Sequence, residues 1–509
     1  LRALIFHGYL LRGTGSNIYN ANLAQALVRL GWDVHLLCQE REARDLHWVH
    51  AIGRWSDGEL EVEQLREPDG EGQLTVYTPE IAGLLPVYVH DYYPGFEAKT
   101  FGELSDAELE RYLAANVAAV EHVAARAGDL DASLANHLVM GPLILSRAGL
   151  RFAAKIHGSA LEYTVKPNPR FLPHAEEGMA AASTVLVGSR HTAQSLWATL
   201  PDLDLPAKTR LGPPGVDTDA FAPRAEGEAV AAVEGLAEQI ATGSGEKGLG
   251  RDSQAAAAAL RDFAAAEGPR VIFVGKLIVS KGVDLLLAAW PLVHAASPGA
   301  RLLVVGFGAY EDGLRQLLAA LEGGHQQEAL EVARLGRALE GGPEGALGIL
   351  EAFLSDPPPG YLDAARGAAG SVQLAGRLEH AEVAEALPAA DVLVMPSTFP
   401  ESFGMVPVEA AACGALPISA AHSGMLEVSR RLAEALPADI AALISFPIEE
   451  GAVGELADRL RAWLALDRDR RREIGALLAR RVDELWSWEG VARGVISASR
   501  GHLDELSPP

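Results

Sequence analysis

Two glutamates, Glu401 and Glu409, bracket the stretch FPESFGMVPVE, and two lysines, Lys276 and Lys281, fall within six residues in VGKLIVSKGVDLLL. A carboxylate pair can act as acid and base, hold a metal, accept hydrogen bonds from sugar hydroxyls, or simply face water, and spacing alone does not choose among these in an acid-rich chain. No His or Asp stands near either glutamate at ligand spacing, which disfavours a metal pair. The lysines say more. At a strand's carboxyl end, two ammonium groups would neutralise a diphosphate both when bound and as it leaves. The alternative is a solvated charged loop.

His157 ends the apolar run KIHGSA, where a histidine either packs, caps a loop, or donates to a sugar hydroxyl or a developing charge. The loop RGTGSN, which follows the run RALIF, and the loop in VVGFGAYEDGL carry glycines that let backbone approach a ligand. Neither is a dinucleotide fingerprint: the third glycine is missing, and Cys38 and Gln39 stand where the first unit needs an acidic residue. A tight turn into a helix explains them equally well.

The elements that must position these residues alternate between short apolar runs and amphipathic helices, the signature of parallel α/β architecture. RALIF reads as a buried strand, and Leu23, Ala26, Leu27 and Leu30 share one helical face that ends at Gly31 before the strand DVHLLC. RFAAKI and TVLV are further strands of the first half. RVIFV, RLLVV, SVQLAGR, DVLVMPS and ALPIS restart the pattern in the second. In open parallel sheets ligands bind beyond the carboxyl ends of the strands, so His157, both lysines and Glu401 are all well placed. Pro407 fits only the first turn of a helix that Gly414 ends, which puts Glu401 in the loop before that helix and Glu409 about one turn inside it. The segment between them offers backbone N–H groups to an anion or hydroxyl.

A length of 509 residues implies about two to three domains. The Pro/Gly-rich stretch RLGPPGVDTDAFAPR punctuates the chain as a linker. Two Ala/Gly/Glu-rich stretches, near 224–268 and 320–368, lack strand signals and read as inserted helices with flexible joints such as GSGEKGLG. Near the C-terminus, LWSWEGVARGVIS reads as an amphipathic helix whose Trp486 and Trp488 require burial. The formal net charge of −25, from 43 basic and 68 acidic residues, sets an extended polyphosphate against repulsion, so nucleic acid is not an expected partner. No apolar stretch reaches the roughly 20 residues of a membrane span, and the N-terminus does not read as a signal peptide. The sequence begins at Leu1 without a methionine, which leaves a removed leader open. Cys38 and Cys413 sit in apolar runs as reduced core thiols, and a cytoplasmic setting is the expectation.

Taken together, FPESFGMVPVEAAACGALPIS, GKLIVSKGVDLLLAAW, LLVVGFG, LAGRLEHAEVAEALPAADVLVMPS, GPPGVDTDAFAP and GTGSNIYNANLAQALVRLGWDVHLL resemble the retaining glycosyltransferases of the GT-B fold, family 4 or group 1 type, typified by sucrose synthases and bacterial mannosyltransferases. The likeness covers the chain apart from the two inserted stretches and is strongest over 275–419. It implies two Rossmann-like domains with parallel sheets facing across a cleft: 1–214 for the acceptor, 215–482 for the nucleotide sugar, and 483–509 as a C-terminal helix packing back on the first. It implies that Glu401 and the backbone of Phe403, Gly404 and Met405 hold the donor sugar and nearby phosphate. Glu409 would take the ribose hydroxyls, Lys276 and Lys281 the diphosphate, and the backbone near Arg377 and Leu378 the base. His157 matches a histidine near the donor sugar, and Gly15 and Ser16 match a loop that closes over the phosphates; Ser16 and Ser189 are the candidate acceptor contacts.

The implied reaction is same-face transfer of a hexose from a nucleoside-diphosphate sugar to a hydroxyl. His157, Lys281 and Glu401 are the catalytic candidates, with no metal and no cofactor. Two departures stand out: Thr14-Gly15 replaces a paired glycine, and Lys276 replaces an arginine, giving up a planar fork for a point charge. A nucleotide-sugar epimerase of the same fold and an inactive nucleotide-sugar-binding scaffold are the alternatives. For the acceptor, the run REARDLHWVHAIGRW offers Arg41, Arg44, His47, Trp48, Arg54 and Trp55 as a basic face for a lipid surface, but its acidic neighbours and the net charge favour a solvated helix or loop. A soluble small molecule or saccharide is therefore the expected acceptor; membrane association is not expected, and a homo-oligomer is left open.

Overall fold

The computed structural model describes the whole chain except residues 14, 57, 89–94 and 244–250. Two compact units emerge: Leu1–Gly215 with Trp486–Pro509, and Val216–Leu485. The divisions fall after Gly215 and after Leu485, one and three residues from the boundaries read in the sequence.

The first unit is built on β1 (Arg2–Phe6), β2 (Asp33–Leu37), β3 (Ala51–Ser56), β4 (Glu59–Gln64), β5 (Leu74–Tyr77), β6 (Leu84–Val87), β7 (Glu97–Thr100), β8 (Ala132–Asn136), β9 (Ala153–Ile156), β10 (Thr184–Val187) and β11 (Thr209–Leu211). Nine of these form one sheet in the order β11-β10-β9-β8-β1-β2-β5-β3-β4, and β6 pairs with β7 separately. Every pair in the large sheet is parallel except β3 with β4. Burial on both faces explains the unbroken apolar runs of β1 and β10, since parallel strands covered by helices have no wet side. β4 is the opposite case: glutamates alternate along ELEVEQ, and such charges suit an edge that must not recruit another strand. REARDLHWVHAIGRW is neither a helix nor wholly loop. It contributes a short 3₁₀ turn at Ala43–Asp45 and then most of β3, with Arg44 paired to Glu63 of β4.

The central strand β8, ASLAN, gives almost no sequence signal. Alanine, serine and asparagine are poor strand formers, yet all five residues are buried beside β1. The C-terminal helix Trp488–Arg500 packs on the helix Gly15–Arg29 and on β8 of this unit. Trp486 and Trp488 are both buried, and the Trp488 ring meets the Tyr19 ring edge-on at 5.6 Å. Gly215 lies so near that a Cβ there would come 2.7 Å from the Trp488 ring.

The second unit carries β12 (Arg270–Val274), β13 (Arg301–Val305), β14 (Val372–Gly376), β15 (Val392–Met395), β16 (Leu416–Ala420) and β17 (Ser445–Phe446). They form one all-parallel sheet in the order β14-β13-β12-β15-β16-β17. The stretch 224–268 supplies helices Glu226–Thr242 and Ser253–Ala264; the second covers β14 and β13 and so belongs to the packed body of the unit. Apart from Gly243, the joint GSGEKGLG lies outside the described residues. The stretch 320–368 is also helical, as Gln326–Leu335, Gly348–Ser355 and Tyr361–Gly367. Cys38 and Cys413 are buried and unpaired, and among the described residues no helix is long and apolar enough to cross a membrane.

Trp488→Ala is expected to destabilise the Leu1–Gly215 unit by about 3–5 kcal/mol, the usual result of emptying a buried aromatic site. Hydrogen exchange should show the loss of protection falling on β1, β8 and the Gly15–Arg29 helix.

Candidate functional site

In the Val216–Leu485 unit, β12 and β15 are neighbours, so the loops at their carboxyl ends must run side by side. Two backbone contacts lock them together. The Thr398 N–H donates to the Ser280 carbonyl at 2.9 Å, and Gly282, at φ +65°, passes the Pro396 carbonyl so closely that a Cβ would lie 2.1 Å from it. Only glycine tolerates both the left-handed backbone and that approach. The consequence is chemical: the Lys281 ammonium meets Glu401 Oε1 at 2.5 Å, and the Ser397 hydroxyl donates to the same oxygen at 3.0 Å. The Lys281 and Glu401 side chains retain 22% and 28% exposure, so the pair adds only about 0–1 kcal/mol to stability and acts mainly to fix positions.

The loop carrying Glu401 is anchored again by residues that follow β16. The Glu401 N–H donates to Ser423 Oγ at 2.9 Å, the Gly424 N–H donates to the Glu401 carbonyl at 2.9 Å, and His422 Nε2 bonds the Ser397 carbonyl at 2.7 Å. Sequence reasoning stopped at the strand ALPIS and missed this AHSG segment, although it too occupies a strand's carboxyl end. After Gly404 the helix Met405–Ala412 begins, with Pro407 in its first turn. Phe403, Gly404 and Met405 thus stand at a helix N-terminus whose first amides lack intrahelical partners. Lys276 is exposed at the end of β12, close in sequence to the paired Lys281.

One turn into that helix the Glu409 carboxylate is buried and bonded by His380 Nε2 at 2.8 Å. His380 opens the helix that follows Arg377 and Leu378, so the structure joins the segment assigned to the base with the carboxylate assigned to the ribose. Sequence reading had passed over His380, because its partner is 29 residues away. Arg377 pairs with Glu379 at 2.8 Å and lies over the Phe307 ring at 5.2 Å.

In the other unit, buried polar side chains link the ends of β1, β8 and β9 to the helix Gly15–Arg29. His157 Nε2 bonds Asn136 Oδ1 at 2.8 Å; Asn136 Nδ2 donates to the Phe6 carbonyl and to Asn20 Oδ1; Asn20 Nδ2 reaches His7 Nδ1 and the Ser16 carbonyl. His7 Nε2 closes the chain on Asn17 Oδ1 at 3.0 Å. These contacts assign roles to the ring nitrogens. Asn136 spends its amide nitrogen elsewhere and presents an acceptor, so His157 carries its proton on Nε2. Burial, aided by the charge of His137, Lys155 and His7, holds His157 well below the ordinary histidine range, and burial lowers His7 to about 4. A neutral His157 with Nε2–H so engaged has an acceptor, not a donor, at Nδ1, which reverses the donor role read from the sequence.

Gly15 and Ser16 form the first residues of the helix, and Thr14 lies outside the described residues. Ser189 does not present a free hydroxyl for an acceptor. It caps the helix Arg190–Thr199, accepting from the Thr192 N–H at 3.2 Å and sharing a bond with Thr192 Oγ1. An uncapped helix start would leave amides unsatisfied, and Ser189 is consumed in meeting that need. Among the described residues no group of three or more His, Cys, Asp or Glu is arranged to hold a metal.

Burial alone would lower the pKa of His380, but the hydrogen bond and charge of Glu409, with Asp217 adding, raise it above 6.5. A histidine raised on folding stabilises the fold fully below its unfolded pKa, and that contribution is lost as pH rises through the folded pKa. Glu409→Gln should therefore move the His380 NMR titration to lower pH and remove the extra stability on the acid side of its folded pKa.

The family model described as Glycosyl transferases group 1 matches residues 361–476, and a second model of that description matches 268–335. A GDP-mannose-dependent monoacylated alpha-(1-6)-phosphatidylinositol monomannoside mannosyltransferase of Corynebacterium glutamicum is 28% identical over 43% of this chain and 44% of its own. A D-inositol 3-phosphate glycosyltransferase of Geodermatophilus obscurus is 28% identical over 70% of this chain and 60% of its own. The chain thus spans about half the length of the curated relatives it matches. In fold it is similar to sucrose-phosphate synthase from Thermosynechococcus elongatus, with 18% identity, TM-score 0.53 and 99% of each chain covered. Anabaena HepE in complex with UDP-glucose gives 14% identity and TM-score 0.56, covering 99% of this chain and 100% of its own. Residues 268–335 and 361–476 thus match the glycosyl transferases group 1 family, and the two α/β units have the GT-B fold.

Proposed function

We propose that the protein moves a hexose from a nucleoside-diphosphate sugar to a hydroxyl acceptor, with retention and without a metal. The observation that carries the reading is the meeting of Lys281 and Glu401 at the ends of β12 and β15, beside the helix start at Met405. An ammonium, a carboxylate and a helix N-terminus on adjoining loops match the two polar parts of a sugar diphosphate: phosphate oxygens for Lys276, Lys281 and the helix start, and sugar hydroxyls for Glu401. Glu409, held by His380, would accept from the ribose, and the backbone at Arg377 and Leu378 would meet the base.

In the transfer, the bond from the anomeric carbon to the diphosphate oxygen breaks as the acceptor oxygen bonds to the same face. The acceptor's proton passes to the departing phosphate. Lys276 and Lys281 stabilise the charge that grows on that phosphate, and Glu401 fixes the ring through its hydroxyls. Glu401 is not cast as a nucleophile, because its Oε1 is already shared by Lys281 and the Ser397 hydroxyl, an arrangement that suits a hydroxyl acceptor better than an attacking group. Gly15, Ser16 and His157 of the Leu1–Gly215 unit are proposed to serve the phosphate, sugar and acceptor ends of the reactants, His157 as a hydrogen-bond acceptor. A relative named for GDP-mannose and a structural neighbour holding UDP-glucose support a hexose on a nucleoside diphosphate, and the inositol-based acceptors named for two relatives support a hydroxyl-rich acceptor.

Incubation with a panel of nucleoside-diphosphate hexoses should consume one donor only when an acceptor mixture is present. Isomerisation of the donor alone would instead indicate an epimerase. A chelator is expected to leave the rate unchanged. Glu401→Gln should lower turnover about 10²–10³-fold, the scale for a lost transition-state contact, with donor affinity little altered. Glu409→Ala should mainly weaken donor binding, by about 1–3 kcal/mol; equal loss of turnover in both, with binding unchanged, contradicts the division.

A further inference from the structure

The helical pair Glu226–Thr242 and Ser253–Ala264 ends against the segment that the nucleotide-sugar reading assigns to the base. Arg251, just ahead of the second helix, has a side chain only 3% exposed, and its guanidinium meets Glu382 Oε2 at 2.6 Å. The same Nη1 donates to the Arg377 carbonyl at 3.2 Å. Glu382 Oε2 also accepts from the Glu379 N–H at 2.8 Å, within a reciprocal capping box at the start of the helix His380–Ala386. Arg251 and Glu382 therefore hold the backbone on both sides of Leu378. Gly376, at φ +68°, sets the turn that enters this segment, with Arg251 Cγ 4.0 Å from where its Cβ would stand. Among the described residues nothing hydrogen-bonds to the amide or carbonyl of Leu378 itself.

That pattern has a physical meaning. A backbone segment reads a base edge only if its N–H and C=O groups are held in one arrangement, since each hydrogen bond is geometrically demanding and a misplaced one leaves a polar group unpaired. Here the flanking groups are occupied and the central pair is left available. Losing one partner of a buried guanidinium–carboxylate pair strands the other, so the Arg251–Glu382 contact holds this backbone in place. Its residue comes from a stretch that sequence reading treated as inserted, and nothing in the proposed chemistry otherwise uses it.

We propose that Arg251 is a positioning residue for nucleobase recognition, and that the helical pair carrying it sets which nucleoside diphosphate the Val216–Leu485 unit prefers. The inference rests on the nucleotide-sugar reading. It tests separately from that reading by calorimetric titration of the full chain with UDP, GDP, ADP and inorganic pyrophosphate. For Arg251→Ala, the best-bound diphosphate should lose about tenfold in affinity, the scale of one or two lost hydrogen bonds. Its preference over the next best should contract, while pyrophosphate binding stays the same. Wild-type protein that binds none of the diphosphates overturns the nucleotide-sugar reading and this inference with it. Wild-type binding with an unchanged base preference in the variant, or with an equal loss for pyrophosphate, overturns the inference alone. If Arg251→Ala fails to fold, Arg251→Lys decides: the shorter side chain keeps a charge near Glu382 and gives up the Arg377 carbonyl, so it should fold with contracted base preference, and an undiminished preference overturns the inference.

Discussion

The candidate site of the Val216–Leu485 unit is organised by one ion pair, Lys281 with Glu401, and by the backbone that forces it to form. The two residues are 120 positions apart and belong to loops that neither helix propensity nor side-chain packing could align so closely. They meet because β12 and β15 are adjacent strands, because Gly282 lets one loop pass directly under the Pro396 carbonyl, and because Ser280 and Thr398 share a hydrogen bond. The AHSG segment after β16 then holds Glu401 from a third strand end. A weak, partly hydrated pair is thus placed by strong, buried constraints. The arrangement suits a site that must exchange one of its own contacts for those of a ligand.

The other unit solves a different problem. Its histidines and asparagines form a buried relay in which proton positions follow from who else each group must satisfy. Burial keeps His7 and His157 neutral, and the amide of Asn136 selects the tautomer of His157. Hence its tautomer follows from β8 and from Asn20 as much as from its own place at the end of β9.

Much of the architecture was legible because apolar runs such as RVIFV and DVLVMPS have no plausible home outside a buried parallel strand. The loop-then-helix placement of Glu401 and Glu409 followed from Pro407 and Gly414. Less legible was whatever depends on pairing across the sheet. β8 hid behind Ala, Ser and Asn, so Asn136 went unnoticed, and with it the reason His157 cannot donate from Nδ1. Ser189 looked available because its capping partner is a backbone amide, which has no letter in a sequence. His380 and Arg251 act on residues 29 and 126 positions away, and only the fold reveals such contacts. The Ala-rich stretch near 224–268 read as an insertion because it lacks strands, although its second helix covers β14 and β13.

The central claim is that a nucleoside-diphosphate sugar binds across the ends of β12, β14 and β15, with the diphosphate near the lysines. Thermal shift of the full chain against nucleoside diphosphates and their hexose conjugates tests it most directly. A ligand present at about 100 times its Kd should add about 2.7 kcal/mol of stability to the unit that binds it. The account predicts that at least one nucleoside diphosphate and its sugar conjugate raise the transition temperature of the Val216–Leu485 unit. Stabilisation by none of them would contradict it.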